Sequence, residues 1–364
     1  MTAERKTSAG GLAALLILSR IFTGAAGLPG DTAGYGMQRF TVTALSFLLA
    51  AVMYIPAILI SRRCGEDFLS IIARRSRLLA IVTAVPLSVY LMVCSAETGL
   101  RSHYYTSSTL FDGAPSFWLF IFTGAALVFA VSKGIEAVSR TGTIVCAMLL
   151  LLLLLITISV FPSVKTDRLY PALIDESSSF MPEVIKEFSL NSEAVVFALL
   201  CGRVRSRAYR TIPLYLGISL ALMMFMIFLY NTVFGRYLSM LELPFYTLSS
   251  LSDISVIHRI NALDVIIWIM ASVIKLAVYA LAFGEAVISC GFTEKTARIS
   301  SFVFALTSVG AAWYLTGAPE LIGIPLAICG TGAPLVLLAV IAPSAALIIR
   351  TVDNKKEITE KCRE

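Results

Sequence analysis

The sequence predicts an all-α polytopic membrane protein with about ten transmembrane helices, arranged as a five-plus-five inverted repeat with broken helices one and six. Of its 364 residues, 58% are hydrophobic and 14% are charged, whereas soluble domains contain about 25% charged residues. Apolar runs of the length that crosses a bilayer, about 20 residues, follow one another along the chain. The first and the sixth run are interrupted or short, and they hold corresponding positions in two halves.

The apolar runs place the spans at 11–30, 40–60, 78–99, 117–131, 142–161, 189–201, 212–234, 263–285, 299–316 and 331–349. We therefore expect one transmembrane domain over residues 1–364. Its first repeat covers about 11–161, its second repeat about 183–350, and a tail follows at 351–364.

The distribution of basic residues predicts the orientation. If the N-terminus is cytoplasmic, 20 of the 29 lysines and arginines fall in cytoplasmic segments and 7 in outer segments. Such an excess marks the cytoplasmic side, so we expect both termini and the tail there, with an even number of spans. The net charge of +6 therefore does not indicate a nucleic-acid partner; the lipid bilayer is the expected surrounding.

The first and sixth spans are predicted to be broken. The first contains GAAGLPG from Gly24 onward, including Gly27, and freed backbone groups at membrane depth must be satisfied by protein or a cavity. The alternative is a simple helix end followed by a turn-rich outer loop. The sixth, SLNSEAVVFALLCG, is short, begins with polar residues and follows Pro182. Interrupted segments at matching positions point to a solute site at the membrane midplane.

The eighth span carries Lys275 near its middle. A lysine at the bilayer centre costs roughly 2.5–3.5 kcal/mol on insertion scales, so it normally faces protein or water. Helical spacing places Asp264, Trp268, Ser272 and Tyr279 on the same face, and the opposite side, rich in Ile, Val, Leu and Ala, is expected to face lipid. Lys275 is either functional, in one version standing where a sodium ion would sit, or a structural lysine paired with a carboxylate or a carbonyl.

No enzyme motif is present: there is no P-loop, HExxH or GxSxG. With two histidines and seven scattered cysteines we expect no metal site, no disulfide framework and no cofactor. Helix ends and a few polar side chains can instead bind a solute. The candidate ligand-binding residues are Gly24, Gly27, Asn191, Glu193, Lys275 and Tyr279.

Four further charged residues are assigned structural or coupling roles: Arg20, Glu97, Glu136 and Arg140. Arg20 must face inward or snorkel, and the sequence does not choose its partner. Glu97 is spaced i,i+4 from Arg101, so a local ion pair is the alternative to a ligand role. Glu193 either pairs with Lys275 or a ligand amine, or only stabilises a helix N-terminus. Glu285 lies roughly 15 Å along the helix from Lys275 and is not its direct partner.

Several stretches, taken in order, resemble the B subunits of bacterial spore germinant receptors (GerAB-type) of the amino acid/polyamine/organocation transporter superfamily. They are GIEAVSR at 134–140, the segment around Leu169–Pro171, SLNSEAVVFALL at 189–200, and 243–279 with its Leu-Pro pair, Trp268, Lys275 and Tyr279. The resemblance implies a LeuT-like fold with a ligand pocket between spans 1, 3, 6 and 8. It also implies A-type and C-type receptor subunits as partners in the inner membrane of the spore.

The expected function is therefore a subunit that senses a small nutrient such as an amino acid. Binding would shift the conformational equilibrium of the bundle and trigger germination. The alternative is an amino acid permease that transports its substrate.

Overall fold

A computed structural model describes residues 6–25, 37–110, 116–169, 177–205, 207–252, 260–318 and 320–361. These residues form helices, with no β-strand among them and one isolated parallel bridge between Thr7 and Val204. The helices are α1 (Ala9–Ala25), α2 (Met37–Met53), α3 (Ile55–Arg63), α4 (Phe68–Arg75), α5 (Arg77–Thr109), α6 (Ser116–Val160), α7 (Ser177–Ser189), α8 (Glu193–Leu200), α9 (Thr211–Phe234), α10 (Pro244–Ser250), α11 (Ile260–Ser289), α12 (Glu294–Gly317), α13 (Glu320–Gly330), α14 (Ala333–Val336) and α15 (Ala342–Lys361).

Seven helical stretches of the described residues are long and apolar enough to cross a membrane. One of them contains α6, whose 45 residues are interrupted at Gly134, where φ is 79° and ψ is 177°. Only glycine adopts this conformation readily, so the chain kinks there, between the predicted fourth and fifth spans. The polytopic all-helical fold is thus confirmed, while the count of ten spans stays a prediction.

Helix α11 lies at the centre of the bundle. In its most apolar stretch 72% of the residues are buried, against 28–44% in the other six candidate spans. Residues 274–280 are all buried, because α1, α5, α6, α8 and α12 surround the helix. The prediction of a lipid-facing side is therefore wrong for the middle of this helix.

The sixth span is broken as predicted, but it begins earlier in the chain than predicted. Helix α7 ends at Ser189 and α8 begins at Glu193. The sequence analysis treated 189–201 as the whole span and left the residues of α7 in a polar connection, which is wrong. The polar run Ser189–Ser192 separates two half-helices because short polar side chains compete for backbone hydrogen bonds.

The first span is helical from Ala9 to Ala25, and every residue from Gly11 to Thr23 is buried. The predicted interruption begins at Gly24, which still lies within α1; residues 26–36, with Gly27, lie outside the described residues. The predicted tenth span corresponds to α14 and α15, joined by a π-helical turn at Leu337–Ile341. Helix α15 continues through Lys361, well into the predicted tail 351–364.

Candidate ligand site at the break of the sixth span

Lys275 connects three helices in the middle of the bundle. Its ammonium Nζ donates to the backbone oxygen of Ser19 at 3.1 Å and to the hydroxyl of Thr23, both on α1. The same Nζ lies 3.5 Å from Oε1 of Glu193 on α8. Because its neighbours are a carbonyl, a hydroxyl and a carboxylate, the charged lysine is compensated without water. Sequence reasoning missed Ser19 and Thr23, although apart from Arg20 they are the only polar side chains of α1 and lie one turn apart.

Glu193 is the first residue of α8 and is fully buried. Its Oε1 accepts a hydrogen bond from the Ser19 hydroxyl at 2.6 Å. Its Oε2 has no hydrogen-bond partner among the described residues. Both predicted roles are therefore met together: the carboxylate stands at a helix N-terminus, which favours negative charge, and it pairs with Lys275.

Tyr279 lies one turn after Lys275, and its ring is 5.7 Å from the lysine Nζ. Its hydroxyl forms a 2.7 Å hydrogen bond with the hydroxyl of Ser192 in the break of the sixth span. Asn191, also in the break, donates from Nδ2 to the carbonyl of Phe188 at 2.9 Å. The backbone N–H of Asn191 donates to the same carbonyl at 3.1 Å, so Asn191 closes the end of α7 with two hydrogen bonds.

A cavity of about 420 Å³ opens beside these residues. The buried residues Lys275, Tyr279, Thr23 and Ser192 line the part that we call the cavity floor, and Glu97 also lines the cavity. Gly24, Asn191 and Glu193 do not line this cavity; Glu193 touches it only through Lys275. The residues that line the cavity include Thr23, Tyr90, Glu97, Arg101, Lys186, Ser192, Lys275, Tyr279 and Cys329.

The charged wall of the cavity comes from α5, α7 and α11. Glu97 accepts from Arg101 at 2.8 Å, so the predicted i,i+4 ion pair exists, and both residues face the cavity. Lys186 and Lys275 add two positive charges and bring the lining to three cations and one carboxylate. Glu97 compensates the charge of Arg101 and Glu193 compensates that of Lys275, so the surroundings of the cavity carry only a small positive excess.

Gly24 has a packing role rather than a place in the cavity. A Cβ at this position would lie 2.5 Å from Cε of Met223 on α9. The absence of a side chain therefore allows α1 and α9 to approach closely. Gly24 faces Met223 of α9 and does not line the cavity beside Lys275, and its ligand role stays a prediction.

Arg20 has the partner that the sequence did not choose. Its guanidinium donates to Glu187 of α7, and Glu187 also accepts from Arg39 of α2 at 2.8 Å. The guanidinium lies 5.4 Å from the ring centre of Phe47. Arg20 and Glu187 are both buried, so this triad joins spans 1, 2 and 6 away from the cavity.

Glu136 and Arg140 lie at the opposite end of the bundle from the cavity mouth, next to Thr7 and Arg205. We call this region, defined by Thr7, Arg203 and Arg205, the basic end. Glu136 accepts from Arg140 at 2.8 Å and from Arg205 at 3.2 Å. The pair therefore contributes to contacts between segments and not to the candidate ligand site.

The arrangement of Lys275, Glu193 and Tyr279 at the break of the sixth span is the candidate ligand site, and comparison with known protein families shows where the chain belongs. Residues 42–316 match the family described as "spore germination protein". The chain belongs to this family. No curated protein sequence matches the chain.

Solved structures similar to this family member are membrane transporters with a LeuT-type fold. A Na⁺-coupled sialic acid symporter superimposes with a TM-score of 0.63 at 12% identity, over 93% of this chain and 81% of the symporter. A nucleobase-cation-symport-1 family transporter gives 0.64 at 17% identity, over 96% and 80%. A manganese transporter of Eremococcus coleocola gives 0.58 at 13% identity, over 94% and 76%. These likenesses establish the fold alone. Both family and fold are those of membrane transporters and permeases.

Proposed function

We propose that this spore germination protein is the nutrient-sensing subunit of a germinant receptor, and that its ligand is a small amino acid. The ligand binds at the membrane midplane between spans 1, 3, 6 and 8, in the cavity that ends at Lys275. The carrying observation is the position of this lysine: its ammonium lies at the cavity floor and holds α1 and α8 together at the break.

A ligand carboxylate that reaches the cavity floor competes with Glu193 for the Lys275 ammonium. The unbound arrangement is stabilised by the 3.5 Å Glu193–Lys275 contact, and the ligand weakens it. A ligand amine would have Glu97 on the wall as its partner. Because a ligand shifts a conformational equilibrium only by its differential affinity for the two states, disturbing this contact gives binding a structural consequence.

In this proposal Lys275 also makes ligand binding independent of sodium. Its ammonium is surrounded by a backbone carbonyl, a hydroxyl and a carboxylate, which are the oxygen ligands a hard cation prefers. A fixed positive charge at that position makes a bound sodium ion unnecessary. Sodium should therefore leave the ligand affinity of the wild type unchanged.

The proposed setting is the inner membrane of the spore with both termini cytoplasmic, which places the basic end at the cytoplasmic face. The proposed partners are an A-type membrane subunit and a C-type lipoprotein. Size-exclusion chromatography of the purified subunits, mixed in detergent, tests directly whether they form a complex.

The test of ligand sensing is thermal stabilisation of the purified protein by each common amino acid. We expect one class to stabilise the wild type and to lose its effect in Tyr279→Phe/Lys275→Gln, which replaces the ammonium by a neutral amide and removes the phenol hydroxyl. Glu136→Gln, which changes a charge at the basic end, is the matched control and should respond as the wild type does. If the amino acid stabilises the cavity variant as much as the wild type, and over the same range of ligand concentration, the proposed site is contradicted.

The second candidate is an amino acid permease, favoured by the transporter fold and by the cavity beside Lys275 in the middle of α11. Uptake of the stabilising amino acid into proteoliposomes separates the two functions. Accumulation well above that of empty liposomes supports the permease. Binding without uptake supports the sensor.

A further inference from the structure

The same two chain segments meet in two ion pairs at different depths. Glu193 begins α8 and pairs with Lys275 of α11. Ten residues later Arg203 ends the 3₁₀ turn that follows α8, and it donates to Glu285 of α11 at 2.7 Å. Glu285 is also ten residues after Lys275. The charges are reversed: α8 supplies the acid at the upper pair and its continuation supplies the base at the lower pair.

This arrangement couples the cavity floor to the basic end mechanically. Ten residues of helix are about 15 Å long, and α8 spans the distance with no interruption before its final 3₁₀ turn. A slide of one helical turn, about 5.4 Å, separates both pairs together. Both contacts therefore form only at the same relative position of the sixth and eighth spans along their axes.

The segment after α8 is also tied to the start of the chain. Thr7 N donates to the carbonyl of Arg203 at 2.9 Å, and Arg205 N donates to the carbonyl of Thr7 at 3.0 Å. The Thr7 hydroxyl donates to Ser139 of α6 at 2.8 Å, and Arg205 reaches Glu136 of the same helix. The start of the first span and the end of the sixth span are therefore joined to each other, and both are held against α6 and α11.

A second cavity, of about 210 Å³, lies directly beside the lower pair. Arg203 and Glu285 form part of its wall, together with Gly134 at the kink of α6 and Ser301 of α12. Movement of the Arg203 segment away from α11 would widen this cavity toward the basic end. The lower ion pair is the charged contact that closes this side.

We propose that Arg203 and Glu285 form a latch at the basic end, coupled through α8 and α11 to the Glu193–Lys275 pair, and that its release opens the second cavity. Weakening the upper pair loosens α8 and increases the open fraction. The link from ligand to latch rests on the proposed function; the latch itself does not.

Cys201 provides a native reporter of the latch. It is buried in the same 3₁₀ turn as Arg203, and its Sγ donates to the carbonyl of Glu66 at 3.5 Å. Opening of the turn exposes this thiol. The experiment measures the alkylation rate of Cys201 in the full-length protein in nanodiscs, by peptide mass spectrometry, without added ligand.

We expect Glu285→Gln and Arg203→Gln each to raise the Cys201 rate by on the order of fivefold, because a half-buried ion pair of about 1 kcal/mol is lost. The reversed pair R203E/E285R should return the rate toward wild type. Arg140→Gln is the matched control: it removes an arginine at the same end, leaves Arg205 on Glu136, and should not change the rate. Unchanged rates in both single variants, or a reversed pair no slower than either of them, would overturn the latch.

Coupling is tested by Glu193→Gln in the same assay. We expect a rise of about threefold alone, and no further rise when it is combined with Glu285→Gln, because both release the same movement. Rates that multiply in the double variant would show two independent contacts and contradict the coupling. Since no ligand is present, this result is distinct from the outcome of the amino acid stabilisation experiment.

Discussion

The two ion pairs between the α8 segment and α11 have the same chemistry and very different surroundings. The side chains of Glu193 and Lys275, the upper pair, are 1% and 3% exposed, whereas those of Arg203 and Glu285, the lower pair, are 17% and 20% exposed. Water can replace a lost partner at the lower pair and cannot at the upper pair. Removing one partner of a buried pair costs about 3–5 kcal/mol, against about 1 kcal/mol or less near solvent.

The difference in burial suits the two ion pairs to different roles. The upper pair has additional oxygen partners on α1, so it fixes three helices in one arrangement and is costly to break without a replacement for one partner. A bound ligand with a carboxylate can supply that replacement. The lower pair opens at small cost once the register changes, as a reversible closure requires.

The largest predicted effect is at Lys275. Lys275→Met leaves the Glu193 carboxylate buried without its cation, and we expect the free energy of unfolding to fall by about 3–5 kcal/mol. Reversible denaturation of the purified protein in mixed micelles measures it. The double variant K275M/E193Q should recover part of the loss because no charge then remains unpaired. A double variant less stable than K275M would contradict the pairing.

The sequence singled out Lys275 because a lysine within an apolar span has few physical explanations. The structure brings Lys275, Glu193 and Tyr279 together beside the break of the sixth span, while their binding of a ligand stays a prediction. The partner of Arg20 was beyond sequence reasoning, since Glu187 is 167 residues away and several carboxylates satisfy the same charge requirement.

The wrong prediction of a lipid-facing side at the middle of α11 has a physical origin. In a membrane protein, surfaces that face lipid and surfaces that face other helices are similarly apolar, so the Ile, Val, Leu and Ala of α11 did not reveal burial on all sides. Gly24 was likewise ambiguous, because glycine serves both broken helices and close helix packing. Helix α7 was missed because its 13 residues are too short and polar for a span of their own.

The next effect concerns the other buried charge cluster. Arg20→Met removes one of two cations from Glu187 but leaves Arg39, so we expect a loss of roughly 2–3 kcal/mol, less than for K275M. The same denaturation experiment measures it. Arg39→Met is the comparison variant, and its cost should be smaller because Arg39 reaches solvent. Equal costs for the two arginines would show that burial does not set their contributions.

A smaller effect is expected at the lower pair. Glu285→Gln should cost about 1 kcal/mol in low salt, and the difference from wild type should shrink in 1 M salt, where the screening length is about 3 Å. The cost of K275M should stay nearly constant over the same range, because a buried pair is screened much less. A salt-independent cost for E285Q would place the lower pair in the same class as the upper pair.

The smallest effect completes the series at an exposed ion pair. Arg140 is 76% exposed and shares Glu136 with Arg205, so Arg140→Gln should change the free energy of unfolding by less than about 0.5 kcal/mol. Glu136→Gln removes the acceptor of both arginines and should cost more than R140Q while remaining below the cost of E285Q. Denaturation of the four variants R140Q, E136Q, E285Q and K275M under one set of conditions then gives a single ordering by burial. An R140Q cost as large as that of E285Q would break the ordering, and with it the argument that solvent exposure separates the two pairs on α11.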